Sequence, residues 1–204
     1  MTHRTHEEIA QAAVRGGACA VQLRDKRASD EELRPIAERI RDLCRTAGVL
    51  FIVNDRVELA ARVDADGVHV GDEDMPVAKA REILGPERII GRSADNVEEA
   101  LRAQAEGADY VGLGPVYTTG TKANAGAPIG PETIAAAKKV VSIPIVAIGG
   151  ITASNIDAVI AAGADAVAVI SAVVCAPDME EVVRELVGRF ATGGARNLAP
   201  PSLV

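Results

Sequence analysis

Gln22, Arg24 and Lys26 alternate within Val21-Gln22-Leu23-Arg24-Asp25-Lys26. A period of two puts all three on one face of a strand. Two cations on an inward face require an anion, because unpaired buried charge is expensive. Lys122 is a third cation further along the chain. A diphosphate would satisfy Arg24, Lys26 and Lys122 together. Internal salt bridges with Asp25, Asp55 or Asp74 would do so as well, and spacing alone does not choose.

Asp55 and Asp74 each follow an apolar run, with Asp72 and Glu73 beside the second. Carboxylates from two neighbouring strand ends, completed by phosphate oxygens and water, suit Mg2+. No His or Cys cluster competes for a softer metal. The alternative is helix N-capping by each Asp; the polycationic neighbourhood favours the metal. Gly149-Gly150-Ile151-Thr152 separates an apolar run from a helical pattern, and Ile170-Ser171 ends the next run. In barrels the last two such loops cradle a phosphate through backbone N–H groups, with glycine allowing close approach. Two anion sites are therefore expected, a metal–diphosphate and a monophosphate. His69 faces opposite to Val68 and Val70 and reads as a satisfied structural histidine, with a general base as the alternative. No Ser-His-Asp or Cys-His arrangement points to a covalent nucleophile.

The elements that must position these groups are legible from periodicity. Strands are predicted at 20–23, 50–53, 67–70, 88–90, 110–113, 145–148 and 166–170, several as continuous apolar runs typical of parallel sheets. Helical patterns occupy 7–15, 31–46, 57–63, 77–84, 97–106, 132–141, 153–162 and 179–190. Ser29 or Asp30, and Asp178, are candidate N-caps; Pro76 and Pro131 suit first helical turns. Gly17-Ala18-Cys19-Ala20-Val21, Gly107-Ala108-Asp109-Tyr110-Val111 and Gly163-Ala164-Asp165-Ala166-Val167 repeat one helix-to-strand grammar, with Val63-Asp64-Ala65-Asp66-Gly67-Val68 as a looser copy. Strict alternation gives an α/β fold with a parallel sheet. A doubly wound sheet would gather its polar groups at one crevice. Here nearly every strand run ends in polar or glycine residues, as a barrel rim would. The expectation is a (βα)8 TIM barrel lacking its opening strand, one domain over 1–191 with a tail over 192–204. The residues before Glu7 are too few and too polar to supply that strand. The seam between 20–23 and 166–170 should then stay open or distorted.

The chain of 204 residues is 48% apolar and 25% charged, with net charge −7. That acidity argues against broad contact with nucleic acid or an anionic membrane. Only Phe51, Tyr110, Tyr117 and Phe190 are aromatic, too few for a base-stacking platform. Cys19, Cys44 and Cys175 form no metal spacing and read as buried thiols in a reducing compartment. The start of the chain is polar, unlike a signal peptide, and the apolar stretch 161–176 is too short to span a bilayer. A cytoplasmic protein is expected.

The ordered set of strand-end motifs resembles the thiamine-phosphate synthase family across almost the whole chain. It comprises Val21-Gln22-Leu23-Arg24-Asp25-Lys26, Ile52-Val53-Asn54-Asp55-Arg56, Gly67-Val68-His69-Val70-Gly71-Asp72-Glu73-Asp74-Met75-Pro76 and Ile90-Gly91-Arg92-Ser93. It continues through Tyr110-Val111-Gly112-Leu113-Gly114-Pro115-Val116-Tyr117, Thr119-Gly120-Thr121-Lys122, Ala147-Ile148-Gly149-Gly150-Ile151 and Ile170-Ser171-Ala172. The resemblance implies a transferase of thiamine biosynthesis that joins hydroxymethylpyrimidine diphosphate to thiazole phosphate and releases pyrophosphate by a dissociative substitution. It implies that Gln22, Leu23, Arg24, Asp25, Lys26, Asn54, Ser93 and Lys122 hold the pyrimidine diphosphate. Arg24, Lys26, Lys122 and Ser93 would be the catalytic groups. Asp55 and Asp74 would bind one Mg2+. Thr119, Gly120, Thr121, Gly150, Ile170 and Ser171 would hold the thiazole phosphate. The two small molecules are the expected partners, and a homo-oligomer is compatible with the sequence. The chain departs from the family pattern at its missing first strand, at Asp72 where Gln is usual, and at Asp95 where His is common; Asp95 could cap the following helix. A thiazole tautomerase on the same barrel, or a non-catalytic phosphate-binding barrel, are the alternatives.

Overall fold

A computed structural model describes residues 4–120 and 126–192. Thr121, Lys122 and nearly all of the tail lie outside the described residues. Seven parallel strands pair strictly in chain order: β1 (Ala20–Leu23), β2 (Leu50–Asn54), β3 (Gly67–Val70), β4 (Ile89–Ala94), β5 (Tyr110–Leu113), β6 (Ile145–Ile148) and β7 (Ala166–Ala168). Around them run α1 (His6–Arg15), α2 (Asp30–Ala47), α3 (Val57–Arg62), α4 (Val77–Leu84), α5 (Val97–Ala105), α6 (Gly130–Ala137), α7 (Ile156–Ala161), α8 (Ser171–Val174) and α9 (Met179–Thr192). The sheet is curled and TIM-barrel-like. No helix among the described residues is long and apolar enough to cross a membrane.

Alternation divides each strand into two faces. Val53, Val68, Val70, Ile90, Val111, Leu113, Ile145 and Ala147 are buried in one cluster with helical Leu33, Ile40, Leu59, Ile134, Ile156 and Val159. The other set turns to the concave face. The register places Asn54, His69, Gly91 and Tyr110 side by side there, and Ser93 beside Gly112.

The helix-to-strand repeat has a definite structural content. Gly17, Gly107 and Gly163 adopt φ near 90° after their helices, and Asp64 takes the left-handed conformation at 56° in the looser copy. Two residues later an aspartate reaches sideways to a backbone amide of the preceding strand. Asp66 Oδ2 accepts from Phe51 N at 2.7 Å, Asp109 Oδ2 from Ile90 N at 2.7 Å, and Asp165 Oδ2 from Ile145 N at 2.8 Å. Each satisfies an amide at the start of a strand. At the equivalent place before β1 stands Cys19, which is exposed.

No strand pairs with the outer edge of β1 or of β7 among the described residues. Ala20 and Gln22 are exposed, and all of β7 is half-buried, whereas Val111, Gly112 and Leu113 of β5 are buried. The sheet is thus open where the sequence predicts a seam. The helical layer is not open: α1 packs against both α2 and α9. A Cβ on Gly16 would fall 2.5 Å from that of Val183, so the two helices abut there. Arg15 pairs with Glu180 at 2.8 Å, and Arg4 donates to the Ala176 carbonyl at 2.7 Å.

Several local expectations change. Ser29 caps α2 in a reciprocal box with Glu32, and Asp178 accepts from Glu181 N. Asn96, not Asp95, caps α5. Pro131 lies in the first turn of α6, but Pro76 stands at the N-cap position of α4. The run predicted as one strand over 166–170 ends at Ala168, and Ser171 opens the short α8. Cys44 is buried, and burial pushes its thiol up to about 11. Cys19 and Cys175 are exposed, contrary to expectation, because Cys19 lies in the turn just before β1 and Cys175 at the C-cap of α8 rather than on a core face.

Candidate active site

The 22–26 segment leaves β1 with alternating faces. Leu23 is 4% exposed and packs into the core, so only its backbone is available to a ligand. Gln22 and Lys26 are exposed, and Arg24 is half-buried. Asp25 turns its carboxylate into its own loop, accepting from Arg27 N at 2.8 Å and Ala28 N at 3.2 Å. The Arg27 amide, foremost, holds that carboxyl below its ordinary range. Asp25 therefore shapes the loop; an anion would meet its carboxylate as a like charge. Lys26 Nζ crosses to Asp55 Oδ2 at 3.0 Å, so part of the salt-bridge alternative is realised.

Asp55 and Asp74 come together from the ends of β2 and β3. Neither caps a helix. Arg56 and Pro76 occupy the N-cap positions of α3 and α4, with no side-chain cap bond at either. Asp55 is left-handed, with φ 63°, a conformation Asp tolerates better than most residues. Asp74 Oδ2 accepts from Gly71 N at 2.7 Å. The two carboxylates are close enough to shift one another's ionisation. Burial, and then the Asp74 carboxylate, raise the Asp55 carboxyl above its ordinary range, with Lys26 opposing. Burial also pushes Asp74 upward, but Asp55, the Gly71 amide and Lys26 together bring it below its ordinary value. Two converging, half-buried carboxylates that must share a proton or a cation fit a hard divalent ion. Among the described residues no third His, Cys, Asp or Glu joins them. Arg92, on the outer face of β4, fixes the Asp74 loop from outside, donating to the Gly71 carbonyl at 2.5 Å and to Asp72 Oδ1 at 2.8 Å.

On the concave face His69 is bonded on both sides: Nδ1 to the Tyr110 hydroxyl at 2.9 Å and Nε2 to Ser93 Oγ at 3.0 Å. The bonds need two glycines. A Cβ on Gly91 would fall 2.0 Å from Tyr110 Cζ, and one on Gly112 would fall 2.9 Å from His69 Cε1. With neither present, the Tyr110 ring lies across β4 and reaches β3. Asn54, 9% exposed, is beside His69 in register. Burial holds the Tyr110 hydroxyl far above its ordinary value, so it stays a neutral partner. This is the satisfied histidine expected from sequence, and it orients Ser93.

The opposite sector is built from backbone. Val116 N donates to the Ile148 carbonyl at 2.9 Å and Tyr117 N to the Gly149 carbonyl at 3.0 Å, laying the β5 loop across the end of β6. Gly149 and Gly150 have φ 96° and 66°. A Cβ on Gly150 would fall 2.6 Å from the Thr118 carbonyl oxygen, and one on Gly149 2.6 Å from Pro115 Cβ. Asn155 secures the loop, donating to the Gly150 carbonyl at 2.9 Å and accepting from Thr152 N at 2.8 Å. Thr119 is half-buried; Gly120, Ile170 and Ser171 are exposed. Sequence reasoning did not find Arg92, or the support that Tyr110 gives. Glycines inside strands, at 91 and 112, were the available signal for the latter.

The thiamine monophosphate synthase profile matches residues 1–173. The thiamine-phosphate synthase of Chloroflexus aurantiacus is 52% identical over 183 residues, covering 90% of this chain and 84% of that protein. That of Moorella thermoacetica is 50% identical over 179 residues, covering 88% and 85%. The solved thiamine phosphate pyrophosphorylase of Pyrococcus furiosus superposes with a TM-score of 0.87 at 42% identity, over 93% of this chain and 91% of that one. The solved thiamine phosphate pyrophosphorylase of Bacteroides thetaiotaomicron, at 17% identity and TM-score 0.68, shares the fold. With a matching profile over most of its length and relatives at about half identity, this chain belongs to the thiamine-phosphate synthase family.

Proposed function

We propose that the strand-end rim binds hydroxymethylpyrimidine diphosphate and Mg2+ over β1 to β4 and thiazole phosphate over β5 to β7, and joins the two into thiamine phosphate. The observation that carries this reading is the convergence of Lys26, Asp55 and Asp74 from three consecutive strand ends. Asp55 and Asp74 would hold Mg2+, which when bound neutralises charge on the diphosphate. Gln22, Asn54 and Ser93 would seat the pyrimidine, with His69 fixing the Ser93 hydroxyl. Leu23 and Asp25 would contribute through the backbone of the loop. Thr119, Gly120, Thr121, Gly150, Ile170 and Ser171 would hold the thiazole phosphate.

The chemistry breaks the bond between the pyrimidine methylene carbon and the diphosphate oxygen, and the electron pair leaves with pyrophosphate. The aminopyrimidine supports the resulting cation. The thiazole nitrogen donates its lone pair to form the new C–N bond. That nitrogen carries no proton, so the reaction needs no general base, in keeping with a His69 bonded at both nitrogens. The protein's work is then charge stabilisation by Arg24, Lys26 and Lys122, and alignment of the two substrates. Lys26, which pairs with Asp55 at 3.0 Å, has further N–H groups that would meet a phosphate oxygen.

The test is to mix both precursors with Mg2+ and follow thiamine phosphate and pyrophosphate together. Equal amounts of each are expected. Binding of both precursors without pyrophosphate release would instead identify a non-catalytic binding barrel.

A further inference from the structure

We propose that Arg56 is a positioning residue that holds the 22–26 loop in register for the diphosphate. Arg56 follows Asp55 directly, and the two side chains serve different neighbours. Asp55 meets Lys26 and Asp74, while Arg56 reaches the main chain of the loop after β1. Its NH2 group donates to the Asp25 carbonyl at 2.8 Å and to the Ala28 carbonyl at 2.6 Å. Its NH1 group donates to Asp30 Oδ1, in the first turn of α2, at 2.5 Å. One planar fork therefore spans the loop from Asp25 to the start of its helix, a geometry an ammonium group lacks.

Three features make this positioning rather than ligand binding. NH2 uses both its hydrogens on carbonyl oxygens, and NH1 is paired with a carboxylate. Asp25 rounds the same loop from within, through the Arg27 and Ala28 amides. Finally, the Lys26–Asp55 ion pair, another tie between this loop and the end of β2, is made of groups that the proposed diphosphate and metal would themselves engage. Arg56 is the tie that persists through binding. A displacement of the loop by about 1 Å in its absence would cost up to about a hundredfold.

The inference rests on reading this loop as the diphosphate site, and the experiment separates the two ideas. Binding of inorganic pyrophosphate with Mg2+ is measured by calorimetry on the full chain and on Arg24→Ala, Arg56→Met and Arg56→Lys. The KM of each substrate is measured alongside. Arg24→Ala and Arg56→Met should each weaken pyrophosphate by about ten- to a hundredfold. In Arg56→Met the KM of the pyrimidine diphosphate should rise while that of thiazole phosphate holds. Arg56→Lys should recover only part, and it carries the same comparison if Arg56→Met does not fold. A merely structural role would lower thermal stability and leave both KM values unchanged, which overturns the proposal. So would an equal rise in both. Undisturbed pyrophosphate binding in Arg24→Ala would remove the loop reading itself, and this inference with it.

Discussion

The two sectors of the rim, each proposed to meet an anion, are built in different ways. Over β1 to β3 the groups are charged side chains, and they are already engaged with one another: Lys26 with Asp55, Asp55 with Asp74. Over β5 and β6 the groups are peptide units set by backbone geometry, with Gly149 and Gly150 at positive φ and the Thr118 carbonyl packed against Gly150. Charges held near one another without ligand need counter-charges, which must be exchanged on binding. Peptide groups need none, since chain geometry fixes them. The first sector should therefore respond to metal and charge, and the second to the volume and φ of single residues.

The largest effect should separate the sectors by metal. Chelation with EDTA should abolish turnover and Mg2+ should restore it, while thiazole phosphate binding measured alone persists. Full activity in metal-free buffer would remove the role given to Asp55 and Asp74. Next, Lys122→Ala should slow the chemical step by about 2–4 kcal/mol, or two to three orders of magnitude, with little change in thiazole phosphate affinity. A wild-type single-turnover rate would show that the leaving group does not depend on it.

The backbone sector gives the third effect. Gly150→Ala forces a Cβ toward the Thr118 carbonyl oxygen at an unfavourable φ. Strain of about 1–3 kcal/mol should appear as a raised KM for thiazole phosphate, with pyrophosphate binding intact. Equal loss at both ligands would mean that the sectors are not separate. The smallest effect concerns the seam, where the two sectors end. Amides of β1 and β7 should exchange with solvent faster than those of β6. Equal, strong protection in all three would mean that the α1–α9 contact rigidifies the sheet as well as the helical layer.

Much of this organisation was legible in the sequence, for specific reasons. Strands such as Ile145–Ile148 are short apolar runs bounded by turn residues, and Lys26, Asp55 and Asp74 each stand just past one. In a parallel sheet that position alone places them on a common rim. The break after Ala168 was not legible, because an apolar run can be strand or helix, and α8 continues the same composition. Arg56 and Arg92 were missed because their principal targets are main-chain carbonyls, which leave no pattern in residue types. The left-handed turn at Asp55 also has no signature, since Asp is common in ordinary helix starts. The cationic neighbourhood of Asp55 and Asp74 favours metal ligation over capping in the sequence, whereas the placing of Arg56 and Pro76 at the two N-cap positions depends on the path of the chain after each strand.

The three aspartates at the base of the sheet have a consequence for ancestry. Asp66 ties β2 to the approach of β3, Asp109 ties β4 to that of β5, and Asp165 ties β6 to that of β7. The joins between β3 and β4 and between β5 and β6 carry no such tie among the described residues. The sheet therefore counts in twos, with β1 and its Cys19 left over, a pattern suited to duplication of a two-strand, two-helix unit. Chimaeras between relatives should follow the same joints. A crossover between β3 and β4 moves each aspartate together with the amide it serves, whereas one between β2 and β3 leaves Asp66 and Phe51 to partners from different parents.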